Sequence, residues 1–328
     1  MCNFQQFSTD QVFGKETVHF DARRCEELTF PPFKLNFAMH FNVLKEIGKG
    51  TEGKVSKCSS KFSEYTCAIK ETIPSHLQIP STNSEPSDVS ILAELNHPNV
   101  VKLHHAWNEK GTDCFGDSVD IIFTSMKFYD RTLLTYLMRN SRIDLGTINN
   151  IFRQMMLGLE HMHLHHIVHH DLKPDNILMD SDLTIMISDF GTAMRKESPN
   201  SKLKPGVIGS LPYCAPEVSN YHELHDEKAD IFPAGVIYFE LYIPVAAHRK
   251  RKVNEMSRLS RQAMASWESW TDFDLDSALE GTDLLDDWGG DYSLLKLMLH
   301  PTGSERPSAS DILARLPVTD TAEDLRRN

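Results

Sequence analysis

The hydrophobic repeat of this chain changes period once, near Asp130, and that change limits what the chain can fold into. Before it, from Phe41 to about Ser125, the pattern is strand-rich. Val43-Leu44 and Lys54–Cys58 flank a glycine turn, and Thr66-Cys67-Ala68-Ile69 predicts a third strand. Val100–Trp107 and Val119–Phe123 predict two more, joined by a Gly-Asp-rich connection. One helical segment interrupts them, with Val89, Leu92, Ala93 and Leu95 near one face. After Asp130, Ile148, Ile151, Phe152, Met155, Leu159 and Met162 recur at three- and four-residue steps, the spacing of a helix with a wide apolar stripe. Further helices are predicted at 229–241, 292–299 and 308–315. The order is a small mixed-β half followed by a larger helical half, an α+β class with no internal repeat.

Composition narrows the function classes. A length of 328 residues has room for about two lobes. Hydrophobic residues at 40% and charged residues at 24% supply a sizeable core and exclude wholesale disorder. Lys plus Arg (34) minus Asp plus Glu (46) gives −12, which argues against coating nucleic acid or an anionic membrane. Six cysteines contain no CxxC pair, so neither a zinc ribbon nor a dense disulfide framework is indicated; free thiols are expected. The first residues carry no apolar run, so no secretory signal is expected. The longest apolar stretch, Ile231–Ala247, contains Pro233, Glu240 and Pro244 and reads as a buried helix rather than a membrane span. A cytoplasmic location is the expectation. Residues 1 to about 38 show little periodicity, although Phe33, Leu35 and Phe37 alternate like a short strand or a docking segment. The stretch 262–295 holds nine acids and no Lys or Arg, a solvated loop or surface helix by pattern.

Four motifs carry chemistry. Gly48-Lys49-Gly50-Thr51-Glu52-Gly53-Lys54-Val55 lies between two strands, where side-chain-free residues let backbone N–H groups approach phosphate oxygens. Glycines also make ordinary hairpins, so this motif is weak alone. Cys67-Ala68-Ile69-Lys70 ends a strand with a lysine that can reach phosphates or simply snorkel to solvent. The decisive motif is His169-His170-Asp171-Leu172-Lys173-Pro174-Asp175-Asn176, followed by Asp189-Phe190-Gly191. A carboxylate, an ammonium and a carboxamide fall within six residues, and a second carboxylate lies eighteen residues beyond the first. That set offers a proton acceptor, a phosphate clamp and oxygen ligands for hard metal ions. The fourth motif is Ala215-Pro216-Glu217.

Together these residues resemble the eukaryotic protein kinase family, in its order and at its spacing, over about residues 41–316. The resemblance implies a bilobal protein-kinase fold, with an N-lobe at 41–125, a C-lobe at 130–316, an N-terminal extension at 1–40 and a tail at 317–328. It implies ATP and Mg2+ as cofactors and a protein substrate. Ile47, Gly48, Gly50 and Gly53 would fold over ATP; Val55, Ala68 and Leu178 would sandwich the adenine. Lys70 would hold the α- and β-phosphates, paired with a helix acid. Asp171 would accept the substrate proton, Lys173 would neutralise the transferring phosphoryl group, and Asn176 and Asp189 would bind magnesium. Thr124 falls near the gatekeeper position. Leu92, Leu103, His169 and Phe190 match the regulatory spine, Asp230 the anchoring Asp of the large lobe, and Arg306 the partner of Glu217. Asp-Leu-Lys-Pro-Asp-Asn, with Ser210 before Leu211-Pro212-Tyr213, favours Ser/Thr acceptors by the same resemblance.

Three departures stand out. Counting back from His97-Pro98-Asn99, the helix acid facing Lys70 is Asp88, about 1.5 Å shorter in reach than glutamate. A closer helix, a bridging water or Glu85 could make up the difference. His170 replaces the arginine that usually precedes the catalytic Asp, so the activation-segment phosphate pocket loses a permanent bidentate cation. Glu52 sits at the glycine-loop tip, where a carboxylate would cost ATP affinity unless it faces solvent. A pseudokinase scaffold is the competing reading. Six histidines between His161 and His170 suggest a zinc site, but His169 belongs to the catalytic loop and the others follow a helix end.

Val100–Glu109 and Ile237–Pro244, with the basic segment after it, resemble the initiation-factor-2α kinases (the PERK and general-control group). Leu294–Pro301 and Arg306-Pro307-Ser308-Ala309 look as much like the Wee/Myt cell-cycle kinases. The run His248–Lys252 reads as a solvated helix approach or as a docking surface for an acidic substrate, with nuclear targeting a further alternative. The resemblance also leaves room for a docking partner or a dimer through the N-lobe.

Overall fold

The computed structural model describes residues 35–49, 53–73, 88–112, 116–140, 143–203, 209–210, 213–219, 223–242 and 291–317. Gly50, Glu52, Glu85, Lys204, the basic run 248–252 and residues 262–290 lie outside them. The described residues group into two units. The smaller comprises those up to Tyr129 except His97–Val100; the larger comprises His97–Val100 and those from Asp130 onward.

In the smaller unit, β1 (Phe41–Lys49), β2 (Gly53–Ser60), β3 (Thr66–Thr72), β4 (Leu103–Thr112) and β5 (Ser118–Lys127) form one antiparallel sheet in the order β1-β2-β3-β5-β4. The one-turn α1 (Phe37–His40) precedes these strands in the chain, and α2 (Asp88–Glu94) falls between β3 and β4. Phe41, Cys58, Cys67, Ile69, Trp107 and Phe123 form the core, with Leu35 and Phe37 packed against it. Phe37, Phe123, Trp107 and Phe41 stack in series, with centroids 5.0, 5.2 and 5.8 Å apart. Phe37 and its neighbour are held by one carboxylate. Glu109 accepts from the Phe37 backbone N–H, from Asn36 Nδ2 at 2.9 Å and from Trp107 Nε1 at 2.7 Å. The alternation of Leu35 and Phe37 thus marks a docked segment, with a turn of helix where a strand was the other option.

The strand expected from Val100 begins instead at Leu103. Val100 makes a parallel bridge to Ile187, and Ile187 N–H donates to the Asn99 carbonyl at 2.9 Å. Asn99 Nδ2 donates to Gln154 Oε1 and to the Ile185 carbonyl. Val100 is apolar because it is buried within the larger unit, which its strand-like composition does not distinguish from a place in β4.

The larger unit is mainly helical. α3 (Leu133–Arg139) opens on a reciprocal cap between Thr132 and Thr135. α4 (Leu145–Leu164) opens on Asp144, which accepts from Thr147 N–H at 2.9 Å. Its predicted stripe, Ile148, Ile151, Phe152, Met155, Leu159 and Met162, is buried throughout, and each such side chain contributes about 2 kcal/mol. α6 (Ile231–Tyr242), preceded by a 3₁₀ turn at Glu227–Asp230 and by the short α5 (Pro216–Ser219), is buried on all sides as far as Leu241. Pro233 is tolerated because it sits in the first turn, where its missing N–H has no intrahelical partner to lose. Phe152 of α4 meets Tyr238 of α6 at 4.3 Å between centroids. α7 (Tyr292–Met298) and α8 (Ala309–Arg315) complete the bundle. Short strand pieces carry the loops: β6 (Arg131–Thr132) pairs β8 (Ile177–Met179), β8 pairs β9 (Ile185–Ile187), and β7 (Ile167–Val168) pairs β10 (Met194–Arg195).

One buried ion pair joins distant parts of this unit. Arg306, 1% exposed, is bidentate to Glu217, with Nη1–Oε1 at 2.6 Å and Nη2–Oε2 at 2.8 Å. Its other N–H groups donate to the carbonyls of His300, Pro301 and Lys228, and its guanidinium lies 5.1 Å from the Phe232 ring centroid. Removing one partner strands the other charge in the core. Glu217→Ala is expected to destabilise the chain by about 3–5 kcal/mol in denaturant unfolding, and Arg306→Lys by less. A loss under about 1 kcal/mol for Glu217→Ala would contradict this reading of the pair.

Candidate functional site

The conspicuous residues fall in both units. In the smaller unit, Lys70 lies on β3 opposite Val55 of β2 and Thr124 of β5. Its Nζ is 3.5 Å from Asp88 Oδ2, and both side chains are mostly buried. The pair is direct; no bridging water is needed. Asp88 is the first residue of α2, and its Oδ1 accepts from its neighbour Val89 N–H at 2.9 Å. The shorter side chain of Asp88 thus reaches Lys70 directly from α2. Ile47 and Gly48 lie near the end of β1, with Gly48 paired to Val55; Ile47 is exposed. Gly53 opens β2 at φ +154°, and a Cβ there would lie 1.8 Å from the Glu71 carbonyl oxygen, so only glycine fits. Ala68, nearly buried, faces Lys57 in the register. Thr124 is 1% exposed, and its hydroxyl has no hydrogen-bond partner among the described residues.

In the larger unit, the loop between β7 and β8 carries Asp171, Lys173 and Asn176. Asp230, fully buried at the start of α6, fixes its entry. It accepts from His169 N–H at 2.8 Å (Oδ2), His170 N–H at 2.9 Å (Oδ1) and His163 Nε2 at 3.0 Å (Oδ2). Burial would raise the Asp230 pKa, but His163 and the neighbouring histidines outweigh it and hold it at about 2. His169 donates from Nε2 to the Ser188 carbonyl at 3.0 Å and accepts Asp171 N–H at Nδ1. Its ring meets Phe190 edge-on at 5.1 Å. Ser188 in turn gives both N–H and O–H to the Asn176 carbonyl.

These bonds leave one carboxylate with two unlike oxygens. Asp171 Oδ2 accepts from Lys173 Nζ at 2.7 Å and from Asn176 Nδ2 at 2.9 Å. Asp171 Oδ1 is buried and has no partner among the described residues. Lys173 also donates to Ser210 Oγ at 2.7 Å. Because the Asn176 amide nitrogen is spent on Asp171, its Oδ1 faces the other way. Asp189 is exposed and held at φ +63°, a strained position for a side-chain-bearing residue. An amide oxygen and an exposed carboxylate are the hard donors that magnesium takes, completed by water or phosphate oxygens. The residues present therefore fit that ion. Leu178 lies half-buried on β8. Gly50 lies outside the described residues, as does Glu52.

Among the described residues no group of three or more His, Cys, Asp or Glu is placed to hold a metal ion. The histidine run is committed elsewhere: His163 to Asp230, His165 Nδ1 to the His161 carbonyl, His169 to Ser188 and His170 to Thr192. Sequence reasoning missed three contributors: Glu109, His163 and His225. Only Glu109 left a trace, since Trp107 and Glu109 share one side of a strand. Nothing local in the sequence links His163 to Asp230 or His225 to His170.

The protein kinase domain family matches residues 41–316. The interferon-induced, double-stranded RNA-activated protein kinase of Mus musculus is 29% identical over 89% of this chain and 54% of its own length. The eIF-2-alpha kinase GCN2 of Arabidopsis thaliana is 26% identical over 83% of this chain and 24% of its own. A putative ribosomal protein S6 kinase alpha-1 of Caenorhabditis elegans is 32% identical over 72% of this chain and 28% of its own. The chain spans about half or less of the length of these relatives. Among the described residues no helix is long and apolar enough to cross a membrane.

Histidine burial makes stability depend on pH. Burial lowers the pKa of His170 and His105 to about 4, and lowers those of His97, His161 and His225. These rings are neutral when folded and take up protons on unfolding near pH 6.5, so the stability they contribute is complete above that value and falls as pH drops toward 4. His170 and His105 alone are expected to lose about 2 kcal/mol each by about pH 5. The Tm should fall by at least about 5 °C between about pH 7 and about pH 5. A flat Tm across that window would contradict neutral burial.

Proposed function

We propose, from the premise that this chain belongs to the protein kinase family, that it transfers the γ-phosphate of ATP to serine or threonine hydroxyls of protein substrates. One observation above all supports this reading. Asp171 Oδ2 is held by Lys173 and Asn176 while Oδ1 is left without a partner among the described residues. A carboxylate fixed by one oxygen and unpartnered at the other has a lone pair left to orient a hydroxyl and take its proton as the oxygen attacks the γ-phosphorus. The bond from that phosphorus to the bridging oxygen breaks, and ADP leaves. Lys173, already beside Asp171, balances the charge of the transferring group. Lys70, kept in place by Asp88, would hold the α- and β-phosphates. Magnesium, when bound by Asn176 and Asp189, supplies further neutralisation of phosphate charge. The contact of Ser210 with Lys173 supports a Ser/Thr acceptor. Since one relative is named an eIF-2-alpha kinase, that class of substrate is the first to assay.

Asp171→Asn is expected to reduce transfer at least about 100-fold while leaving the nucleotide Kd within about threefold, measured by radiolabel transfer and calorimetry. Equal activity in variant and wild type would sink the assigned role. Wild-type nucleotide binding without transfer to any of a broad substrate panel would favour a scaffold instead.

The Lys70–Asp88 pair gives a second test. Asp88→Ala should lower transfer by about tenfold or more, and Asp88→Glu should keep or raise it. A silent Asp88→Ala beside a damaging Glu85→Ala would move the pairing role to Glu85.

A further inference from the structure

The residue before the proposed base is a histidine, and its ring is fully engaged. His170 is 6% exposed and sits at φ +66°. Its Nδ1 donates to the Thr192 carbonyl at 3.1 Å, at the start of the segment that follows Asp189-Phe190-Gly191. Its Nε2 lies 2.9 Å from Nε2 of His225, with the two rings nearly perpendicular at 85°. Only one hydrogen fits between those nitrogens. Because Nδ1 of His170 is the donor to Thr192, its Nε2 is the acceptor, and His225 Nε2–H is the donor.

His225, 2% exposed, holds the same segment a second time through its backbone. Leu203 N–H donates to the His225 carbonyl at 2.8 Å, and His225 N–H returns a bond to the Leu203 carbonyl at 3.3 Å. The segment also passes close over His170. A Cβ on Gly209, at φ +89°, would lie 2.2 Å from the His170 carbonyl oxygen. One histidine pair thus ties the loop carrying Asp171 to both Thr192 and Leu203, and through the His170 N–H to Asp230.

Among the described residues, the cations of the segment are occupied as well. Lys196 is buried against Glu227 and the Pro199 carbonyl, Arg195 donates to the His165 carbonyl, and Lys202 lies 4.0 Å from Asp226. A segment held this way is closed by neutral hydrogen bonds and by acids already present in the chain.

We propose that His225 is a positioning residue for phosphoryl transfer: its hydrogen bond to His170 locks the activation segment onto the catalytic loop without phosphorylation of that segment. The proposal rests on the kinase reading for its effect on rate, but not for its effect on structure. Two side-chain changes separate the hydrogen bond from packing. His225→Gln can still present an N–H toward His170 Nε2, whereas His225→Leu cannot.

The test uses the full chain near neutral pH and reads two signals. Amide hydrogen exchange over residues 192–203 should be at least about tenfold faster in His225→Leu than in wild type, and His225→Gln should recover most of the protection. In the transfer assay, His225→Leu should lower kcat about tenfold or more with the KM for ATP within about twofold, His225→Gln should recover a large part of kcat, and phosphatase treatment of the wild type should cost less than about twofold. Unchanged exchange in His225→Leu overturns the proposal whether or not the chain is an active kinase. So does a His225→Gln variant as loose as His225→Leu, which would leave only packing. If neither variant folds, the phosphatase arm decides: a large loss of wild-type activity, restored by re-phosphorylation, also overturns it. Failure of the kinase reading looks different, with no transfer by wild type or by Asp171→Asn and the exchange result intact.

Discussion

The carboxylate of Asp230 is the interaction on which the larger unit's chemistry depends. Its two oxygens receive the backbone N–H groups of His169 and His170 and the Nε2–H of His163. A buried carboxylate is costly unless its lone pairs are met by donors, and here three donors from two elements meet them. The result fixes two successive peptide N–H groups relative to α6, a helix that is itself buried on nearly every side. His170 can then adopt φ +66° because its N–H, its ring and its carbonyl are all constrained by neighbours.

The rest of the large-unit site follows by short steps from that anchor. His169, placed by Asp230, carries Asp171 N–H on one ring nitrogen and Ser188 on the other. Ser188 holds the Asn176 backbone, and the Asn176 side chain holds Asp171. The circuit closes on itself: the loop bearing the proposed base and the strand leading to Asp189 are mutually determined. The small unit solves a simpler problem. A lysine on β3 needs one acid, and the first residue of α2 supplies it at 3.5 Å.

Much of this was readable in the sequence where the signal is local. The three- and four-residue stripe of α4 names its buried side chains one by one, because a long amphipathic helix has a single way to bury such a face. The loop from His169 to Asn176 declares its chemistry by residue type and spacing. The failures were of another kind. Val100 is strand-like in composition but leaves the sheet, because a buried β-branched residue reads the same in either setting. The reach of Asp88 depends on how closely α2 approaches β3, which no pattern of apolar residues states. His225 and His170 are 55 positions apart, and their contact exists only after α6 and the activation segment are in place. Glu109 gathers α1 and Trp107 by the same kind of non-local placement.

The measurement that bears most directly on this account is Asp230→Asn, read by amide exchange at His169 and His170 together with phosphoryl transfer. Asparagine keeps the volume but offers one acceptor oxygen instead of two and adds an N–H that faces existing donors. The variant is expected to fold with a preserved smaller unit, to lose protection at both amides and to show a fall in transfer of about 100-fold or more. Unchanged protection at His169 and His170 with unchanged transfer would contradict the claim that this carboxylate organises the loop.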